Sequence, residues 1–422
     1  MEPFYCPDTK AEWTTAIALV DMMAFFPSCE QLDFPELRGR PIAVTNGDAG
    51  TTIISSSYEA RQFGIKTGMR MKEALYLCPE IIKRPSRPHR YAEISAKVME
   101  ALNVEISPDQ EIFSIDESFL DLTTMLRYFG SVQVIADKIR KVVHEATGGL
   151  RCSVGISSGK LTAKYCAKLN KGGTTIINPD KIKDHIASCP IGEICGIGKK
   201  TEEFLKASGV ETCQDMRNLP MAALSNKYGD SGRRLYLVCT EGHDPYPVVT
   251  EQPDPKSIGH SKVLPPATTD KPLVFGILRR LTERLSSRLR NNDLRTDNLT
   301  IGFKTDLAWV YGKYPNKPAT DETAVIWSLV EKHFRKWDCE PIFQVSITAT
   351  SLLSTLEPEQ MDLFGESHEN TNNKKLDKVK DQINDRFGKH SAKSATEMLA
   401  KDVNLTPVIS FNYQPKGTKK SL

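Results

Sequence analysis

The alternation of hydrophobic and polar positions divides the chain into short apolar runs and longer amphipathic segments. Residues 15–20, 41–45 and 151–156 are short runs rich in aliphatic and β-branched residues, which is the pattern of buried β-strands. Residues 91–102 and 132–146 carry apolar side chains at intervals of three and four, which predicts helices with one buried face. Strands and helices mixed in this way predict an α+β fold in which helices cover one face of a sheet.

A proline-rich stretch separates these elements from a second set. Residues 245–255 contain four prolines among mostly polar or β-branched residues, which is typical of a tether between domains. After the tether, Leu278, Leu281 and Leu285 mark the buried stripe of a long helix. The elements predicted there form a β-α-β-α-β unit: strand 257–264, helix 273–290, strand 299–304, helix 323–337 and strand 343–350.

Composition argues against several classes of protein. The 422 residues are too many for a single core, so several domains are expected. No apolar run approaches the roughly 20 residues that span a bilayer, and the N-terminus shows no secretory signal, so no membrane contact is expected. The ten cysteines form no C-x-x-C pair, and we interpret them as small buried hydrophobic residues in a reducing cytoplasm.

The distribution of charge is more informative than its sum. The formal net charge is only +3, but residues 256–340 hold 15 Lys or Arg against 10 Asp or Glu, a local excess of five. A basic bias of this size is compatible with a nucleic-acid-binding surface, and equally with an ordinary solvated domain.

Two adjacent carboxylates interrupt one of the apolar segments. Residues 113–121 read F-S-I-D-E-S-F-L-D and predict a strand carrying Asp116 and Glu117, one of which faces inward unless the strand bends or ends there. The apolar run at 15–20 ends in Asp21, which predicts a third carboxylate at the end of a neighbouring strand. Three such oxygen ligands suit Mg²⁺, and two Mg²⁺ ions together can catalyse phosphoryl transfer. The alternative is a set of unrelated loop carboxylates, capped or solvated.

Several basic residues are candidates for binding phosphate. Tyr58 and Arg61 are neighbours on one face of a predicted helix near its start, where a phosphate would meet a guanidinium, a phenol and the helix end. The alternative is an exposed arginine beside a half-buried tyrosine. Lys171, next to two glycines, is placed to reach a triphosphate. We interpret the preceding basic residues as a mostly solvated face: Lys160, Lys164 and Lys168.

A glycine-rich turn between two short helical segments predicts a helix–hairpin–helix. Gly196 and Gly198 flank one isoleucine, Lys199 follows, and a second helix ends near a Gly-Val pair. The N–H groups of such a turn can bind one DNA phosphate without reading the base sequence. A plain helical hairpin is the alternative.

The second half of the chain contributes two further candidate surfaces. His260, Lys262 and Lys304 are predicted to face outward from their strands and to follow a nucleic-acid backbone. Arginines 280, 284 and 288 are interpreted as a solvated helix face. Residues 360–364, Q-M-D-L-F, form an isolated apolar anchor in a polar stretch, which is typical of a peptide that docks into a partner's groove.

Taken in order, these motifs resemble those of the Y-family translesion DNA polymerases, with the bacterial polymerase IV group closest and the polymerase V catalytic subunit as near kin. The similarity runs from about residue 16 to 353. Five segments carry it: D-M-M-A-F-F-P-S-C-E, S-Y-E-A-R-Q-F-G-I-K-T-G-M, F-S-I-D-E-S-F-L-D, V-G-I-S-S-G-K-L-T-A-K and G-I-G-K-K.

The resemblance implies a role for each candidate residue. It makes Asp21, Asp116, Glu117 and the Met22 backbone carbonyl the ligands of two Mg²⁺ ions, with Glu117 assisting deprotonation of the primer 3′-hydroxyl. Phe26 falls at the steric gate that excludes a 2′-hydroxyl. The incoming deoxynucleoside triphosphate would contact Phe26, Ser55, Tyr58, Arg61 and Lys171. A sliding clamp would bind the peptide through Gln360, Leu363 and Phe364.

The resemblance also implies a right-hand architecture and a function. The expected divisions are an N-terminal extension (1–12), palm (13–45 and 85–180), small fingers (46–84), helical thumb (181–250), linker (251–256), α/β little finger (257–357) and tail (358–422). One departure is Met23, where many polymerase IV sequences have Asp. The expected activity is low-fidelity, template-directed synthesis across damaged DNA by a monomer. The alternatives are a non-catalytic adaptor that binds DNA and clamp, and a two-metal nuclease.

Overall fold

A computed structural model describes residues 13–47, 50–251, 254–338, 340–355, 371–388 and 391–400. They form two compact units, which separate between residues 251 and 254. The N-terminal extension at 1–12 and the peptide at 360–364 lie outside the described residues. None of the helices within the described ranges is both long enough and apolar enough to cross a membrane.

The first unit is organised around a five-stranded sheet. Its strands lie in the order β5-β6-β1-β7-β8, with β1 at the centre. β1 pairs antiparallel with β6 and β7, whereas β7 and β8 are parallel. The strands are β1 (Ile17–Met22), β5 (Gln110–Ile112), β6 (Glu117–Asp121), β7 (Cys152–Ser157) and β8 (Thr174–Ile176).

Helices pack on both faces of this sheet, whereas the sequence predicted one covered face. α4 (Pro88–Glu105) and α6 (Val132–Thr147) bury their apolar stripes against one face, as their periodicity predicted. α7 (Lys160–Leu169) packs on the other face. The approach of α7 is close because Gly155 of β7 has no side chain: a Cβ there would lie 2.2 Å from the Ala163 carbonyl oxygen.

A smaller sheet with its own core is inserted after the first helix, α1 (Phe25–Asp33). Its strand order is β3-β2-β4. Two short helices, α2 and α3, complete this part of the unit. The elements are β2 (Ile42–Thr45), β3 (Ile53–Ser56), α2 (Tyr58–Gln62), α3 (Met71–Leu77) and β4 (Ile82–Pro85).

The remainder of the first unit is helical. The short helix α5 (Leu126–Phe129) precedes α6, and the other helices share a core with α7. Short 3-10 turns at Ile191–Glu193 and Gln214–Asn218 connect them. The helices are α8 (Ile182–Ala187), α9 (Lys199–Ala207) and α10 (Met221–Glu241).

The second unit contains one strand more than the sequence predicted. Its sheet has the order β11-β10-β12-β9, and the chain runs β-α-β-β-α-β. The missed strand, β11, contains two prolines, a glycine and two lysines, so no apolar alternation revealed it. The elements are β9 (Ser257–Thr268), α11 (Lys271–Arg290), β10 (Leu294–Lys304), β11 (Trp309–Thr320), α12 (Thr323–Phe334) and β12 (Ile342–Ser354).

The two faces of this sheet differ, and two of the three predicted DNA contacts lie on the wrong one. His260 and Lys262 pair with Ile347 and Val345 of β12, which are buried beneath α11. Opposite residues of antiparallel strands share a face, so His260 and Lys262 point toward the helices. Burial and the charge of Arg284 on α11 accordingly lower the pKa of Lys262. Only Lys304 lies on the open face.

The predicted arginine face of α11 is also largely covered. Arg280 is buried and Arg284 is half-buried, whereas Arg288 is exposed. Part of the cover comes from a short 3-10 helix, Ala395–Ala400, whose backbone approaches Gly276 of α11. An interpretation based on charge alone therefore failed for two of the three arginines.

A helix beyond the last strand packs on the second unit with its charged side. In α13 (Thr371–Phe387), Asp377 and Asp381 contact the Arg290 guanidinium at 3.1 and 2.7 Å. Lys380 contacts Glu283 of α11 at 2.7 Å. The apolar residues of α13 therefore face away from the unit: Leu376, Val379, Ile383 and Phe387 are exposed.

Candidate active site

Three carboxylates meet at one edge of the central sheet. The register between β1 and β6 places Asp21 opposite Glu117. The Met22 N–H donates to the Asp116 carbonyl oxygen at 2.9 Å, which fixes Asp116 against the end of β1. Asp21 lies two residues after Leu19, and Glu117 lies two residues before Phe119. Leu19 and Phe119 both pack against α7, so the two carboxylates lie on the α7 face as well. The structure thus brings together the three acidic residues that the sequence singled out.

The acidic segment is a turn followed by a strand, and the strand predicted at 113–121 begins only at Glu117. The N–H groups of Phe113 and Ser114 both donate to the Glu117 carbonyl oxygen, at 3.0 and 3.1 Å. This tight turn joins β5 to β6 and leaves the Phe113 ring 45% exposed. Because the strand starts at Glu117, Asp116 is free of the strict alternation of side chains, and both carboxylates reach the same site.

Asp116 is a half-buried carboxylate held by a neighbouring hydroxyl group. Its Oδ1 accepts a hydrogen bond from the Ser114 hydroxyl at 2.6 Å. Burial, together with the negative charges of Glu117 and Asp21, raises the pKa of Asp116 to about 6, while the Ser114 hydrogen bond opposes the shift. The repulsion acting on Asp116 reflects its closeness to the other two carboxylates.

Two lysines already contact these carboxylates. Lys164 Nζ lies 2.7 and 2.9 Å from the two oxygens of Glu117, and Lys171 Nζ lies 2.6 Å from Asp21 Oδ2. Lys160, on the same helix as Lys164, is buried and paired with Glu111 at 2.8 Å. The interpretation of these helix lysines as a solvated face was therefore wrong for Lys160 and Lys164. Lys168 alone remains largely exposed.

The chemistry of the site fits a hard divalent cation, although its ligands are not arranged as a ready cage. Within the described ranges, no group of three or more His, Cys, Asp or Glu side chains is preassembled around a metal position. The physical reason is that ammonium groups hold oxygens of Asp21 and Glu117 while Ser114 holds Asp116. Three carboxylates in one cleft are nevertheless the donor set that Mg²⁺ prefers.

The loop that carries Lys171 is fixed by its neighbours. Arg140 donates to the Gly172 carbonyl oxygen at 3.1 Å, and the Gly172 N–H donates to Ser153 Oγ at 2.9 Å. Gly172 has a φ of +79°, and a Cβ there would lie 2.5 Å from the Met23 sulfur. Met23, the departure from the polymerase IV pattern, therefore packs under this loop.

Phe26, at the start of α1, stacks on the buried Tyr91 of α4. Its ring centroid lies 4.6 Å from that of Tyr91, with an interplanar angle of 14°. The Tyr91 hydroxyl donates to Glu30 at 2.8 Å, and Glu30 is fully buried between Arg84 and Arg87, at 3.1 and 2.8 Å. Periodicity assigned residues 91–102 to the core and did not reveal this network. A glutamate inside an otherwise apolar helix face was the available signal.

The remaining predicted nucleotide contacts lie on β3 and α2, in the part of the unit that contains the small inserted sheet. The Arg61 guanidinium lies 4.6 Å from the centroid of the Tyr58 ring and donates to the Ser56 carbonyl oxygen at 3.1 Å. Ser55 is a half-buried residue of β3. The helix α2 has only five residues, and the Ser57 hydroxyl already caps it, so cationic and hydroxyl groups matter more here than a helix dipole.

The glycine turn before α9 presents its polar groups to solvent. Gly196 has a φ of +96°, Ile197 is buried in the helical core, and Gly198 and Lys199 are exposed. No side chain caps the first turn of α9, so its N–H groups remain open to a ligand. The first arm of the hairpin is only the 3-10 turn at Ile191–Glu193.

The predicted tether is anchored to the first unit at its beginning. Asp244 is buried, binds Arg234 through both carboxylate oxygens at 2.7 and 2.6 Å, and accepts the Leu161 N–H at 3.0 Å. The Val249 N–H donates to Glu111 at 2.8 Å. The prolines were informative about composition but did not reveal these anchors.

Three family profiles match the chain. The profile of the impB/mucB/samB family covers residues 20–168, and that of its C-terminal domain covers residues 255–363. The profile described as the DNA polymerase-iota thumb domain covers residues 192–244. The first match includes all three carboxylates, and the third includes the glycine turn.

Curated relatives extend the similarity over nearly the whole chain. A protein named DNA polymerase IV from Pelotomaculum thermopropionicum is 32% identical over 93% of this chain and 96% of its own. Proteins of the same name from Desulfatibacillum aliphaticivorans and Alkaliphilus oremlandii are 32% and 33% identical, over 89% and 91% of this chain and 95% and 99% of their own. The chain belongs to the Y family of translesion DNA polymerases, close to the bacterial DNA polymerase IV group, and is a DNA-directed DNA polymerase.

Proposed function

We propose that the chain extends a primer with low fidelity, using two Mg²⁺ ions held by Asp21, Asp116, Glu117 and the Met22 carbonyl. The observation that carries this proposal is the meeting of three carboxylates at the ends of β1 and β6. When bound, the ions would neutralise the phosphates and activate the attacking oxygen. Glu117 is the group proposed to receive the proton of the primer 3′-hydroxyl.

The incoming deoxynucleoside triphosphate is proposed to lie between the central sheet and the small inserted sheet. Arg61, Tyr58, Ser55 and Lys171 supply guanidinium, hydroxyl and ammonium donors for its phosphates. Phe26 is proposed to be the steric gate. Its stacking on buried Tyr91 supports this role, because a ring held from behind cannot turn away from a 2′-hydroxyl.

The domain roles are likewise proposals. Residues 13–45 and 85–180 would be the palm, 46–84 the fingers, 181–250 the thumb and 257–357 the little finger. Primer–template DNA would contact the thumb at Gly196, Gly198 and Lys199, whose exposure supports a phosphate contact. In the little finger the open sheet face with Lys304 is the proposed contact. His260 and Lys262 are withdrawn from this role.

Clamp binding is proposed on sequence grounds alone. Gln360, Leu363 and Phe364 would dock into an apolar groove of a sliding clamp, as short apolar anchors in polar stretches do. We further propose that the protein works as a monomer in the cytoplasm; the eight cysteines within the described residues, all free thiols, are compatible with a reducing compartment.

The two alternative functions explain less. A non-catalytic adaptor needs no acidic site, yet three carboxylates converge here with lysines at bonding distance. A two-metal nuclease would use the carboxylates but has no need of Arg61 beside Tyr58, or of Phe26 stacked on Tyr91.

Primer extension with Asp116→Ala tests the proposal. The variant should produce no extended product, whereas Asp137→Ala, which removes an exposed carboxylate from α6, should extend normally. Undiminished synthesis by Asp116→Ala would overturn the assigned site. Degradation of the same duplex by the wild-type chain without nucleotides would favour the nuclease instead.

A second measurement addresses the gate and the fidelity. Phe26→Ala should raise ribonucleotide incorporation, with Tyr76→Ala, an exposed aromatic truncation, as its control. Sugar discrimination unchanged by Phe26→Ala would remove the gate role. Sequencing of products made on undamaged templates would measure the error frequency directly.

A further inference from the structure

Two ammonium groups occupy the carboxylate oxygens that the metal ions of the proposed function need. Lys164 bridges both oxygens of Glu117, and its side chain is largely buried beside the Phe113 ring, 4.5 Å from the centroid. Lys171 contacts one oxygen of Asp21 and is 43% exposed. The first contact is bidentate and sheltered, and the second is single and open to solvent.

The chain holds both lysines in place from outside the site. Lys164 sits one turn into α7, whose first N–H groups include that of Leu161, bound by the carboxylate of Asp244. Lys171 belongs to the loop fastened at Gly172 by Arg140 and Ser153. These supports make the ammonium–carboxylate contacts a built feature of the fold rather than a chance meeting of flexible side chains.

We propose that Lys164 and Lys171 compete with divalent metal for Glu117 and Asp21, so that metal affinity stays low until a triphosphate takes Lys171 away. This inference rests on the proposed function. Its physical basis is that an ammonium group and a divalent ion on one carboxylate repel each other strongly at a separation of a few ångströms. A triphosphate offers Lys171 another anion and thereby frees Asp21 for the ion.

The two lysines then have different parts in the same competition. Lys171 is the exchangeable cation, because its single exposed contact is easily replaced by phosphate oxygens. Lys164 is the sheltered competitor: its contact with both oxygens orients Glu117 and lowers the affinity of Glu117 for metal, with or without a nucleotide. Metal and nucleotide would consequently bind with positive cooperativity, which limits unproductive binding of either one alone.

Metal binding measured without DNA or nucleotide tests the proposal. Mn²⁺ is titrated into the full chain and the free ion is counted by electron paramagnetic resonance, so activity is not the readout. Lys171→Met should bind Mn²⁺ about three- to tenfold more tightly than wild type because the competing charge is gone. Lys168→Met is the matched control: it removes one positive charge from the end of α7, three residues before Lys171, and Lys168 contacts Glu193 and none of the three site carboxylates.

The measured affinities either support or overturn the proposed competition. The competition is supported if Lys171→Met binds Mn²⁺ more tightly than wild type while Lys168→Met and Lys171→Arg both keep the wild-type affinity. Affinity equal to that of Lys168→Met, or weaker than wild type, overturns it. Lys164→Met should also tighten Mn²⁺ binding, and thermal unfolding checks that this variant folds. If it does not fold, Lys171→Met still decides the test because Lys171 is exposed.

Failure of this inference is distinguishable from failure of the proposed function. If Asp116→Ala abolishes synthesis but Lys171→Met leaves Mn²⁺ affinity unchanged, the polymerase site stands and the competition is wrong. If Asp116→Ala still extends a primer, the metal site itself is misassigned. Tight Mn²⁺ binding by Lys171→Met that disappears in the double variant with Asp21→Asn would place the competition at Asp21.

Discussion

Glu30 illustrates how one residue can set the geometry of a site it does not enter. A buried carboxylate is stable only when its charge is compensated, and Glu30 is compensated by Arg84, Arg87 and the Tyr91 hydroxyl. The same tyrosine stacks on Phe26. The carboxylate therefore orients Tyr91, and Tyr91 in turn holds the proposed gate.

Replacing Glu30 by Gln should destabilise the protein by about 2–4 kcal/mol, because two guanidinium groups lose their buried counter-charge. Urea unfolding of the full chain measures the change. Glu36→Gln, at an exposed position of a neighbouring 3-10 turn, should stay within about 0.5 kcal/mol of wild type. A Glu30→Gln protein as stable as Glu36→Gln would show that the network contributes nothing.

His333 is a second residue whose burial has a measurable consequence. It lies buried in the second unit, and its Nδ1 is 3.0 Å from the Tyr314 hydroxyl. Its Nε2 has no hydrogen-bond partner among the described residues. Burial, with a smaller effect of the Lys336 charge, lowers the pKa of His333 from 6.5 to about 4.

This depressed pKa predicts a pH-dependent stability of the second unit. The folded state binds the proton less tightly than the unfolded state, so the contribution is complete above pH 6.5 and is lost as pH falls toward 4. The expected loss by pH 4 is about 3 kcal/mol, and tryptophan fluorescence during urea unfolding measures it. Three of the four tryptophans, at 309, 327 and 337, lie in this unit. His333→Gln should be less stable at neutral pH but lack this step; an identical pH profile would contradict the assignment.

At the scale of elements, the sequence predicted what periodicity encodes and missed what depends on tertiary contacts. The helices at 91–102 and 132–146 were found because their apolar stripes are regular. β11 was missed because its residues are paired by backbone hydrogen bonds with β10 rather than selected for apolar alternation. The facing of His260 was wrong because a basic strand residue was assumed to seek solvent, whereas the register with β12 places it under α11.

At the candidate site too, the features with a local sequence pattern were predicted and those that depend on tertiary contacts were missed. Asp21, Asp116 and Glu117 were predicted as a site because each is a carboxylate at or near the end of an apolar strand, and the structure brings them together. Their lysine partners were misjudged, since the spacing of Lys160 and Lys164 along a helix does not say which face is covered. The distant contact between Asp244 and α7 leaves no local pattern at all.

The contact between Asp244 and the first turn of α7 should stabilise this helix. Asp244 caps α7 from another part of the chain, because Gly159 at the N-cap position has no side chain to do so. Asp244→Ala should cost about 2–3 kcal/mol, since it removes the cap and leaves Arg234 without its buried partner. It should also slow primer extension several-fold, because Lys164 lies on the next turn.

Asp254→Ala is the control for this prediction, since Asp254 is an exposed acidic residue of the tether that follows Asp244. Unfolding and extension should both match wild type in this variant. Asp244→Asn, which keeps an acceptor for the Leu161 N–H but loses the ion pair, should fall between the two. If Asp244→Ala loses stability without any change in extension rate, the cap serves the fold alone.

Among the described residues, helices cover one face of the sheet of the second unit and leave the other face open, and the open face is the one that we propose DNA contacts. Lys304 lies on it, beside the strand whose Lys313 pairs with Thr300 on the same face. Lys262 lies on the covered face. The two lysines carry equal charge in neighbouring parts of one sheet, so they separate the effect of contact from the effect of net charge.

Lys304→Ala should weaken binding of primer–template DNA and reduce the slope of log affinity against log salt concentration by about 1. The reason is that a protein with one phosphate contact fewer releases about one counterion fewer when it binds. Binding is measured by fluorescence anisotropy across a salt series. Lys262→Ala removes the same charge from the covered face and should leave the slope unchanged, with thermal unfolding as the check on its packing. Equal slopes for both variants would mean that DNA responds to the net charge of the unit, and the open face would lose its assignment as the contact surface.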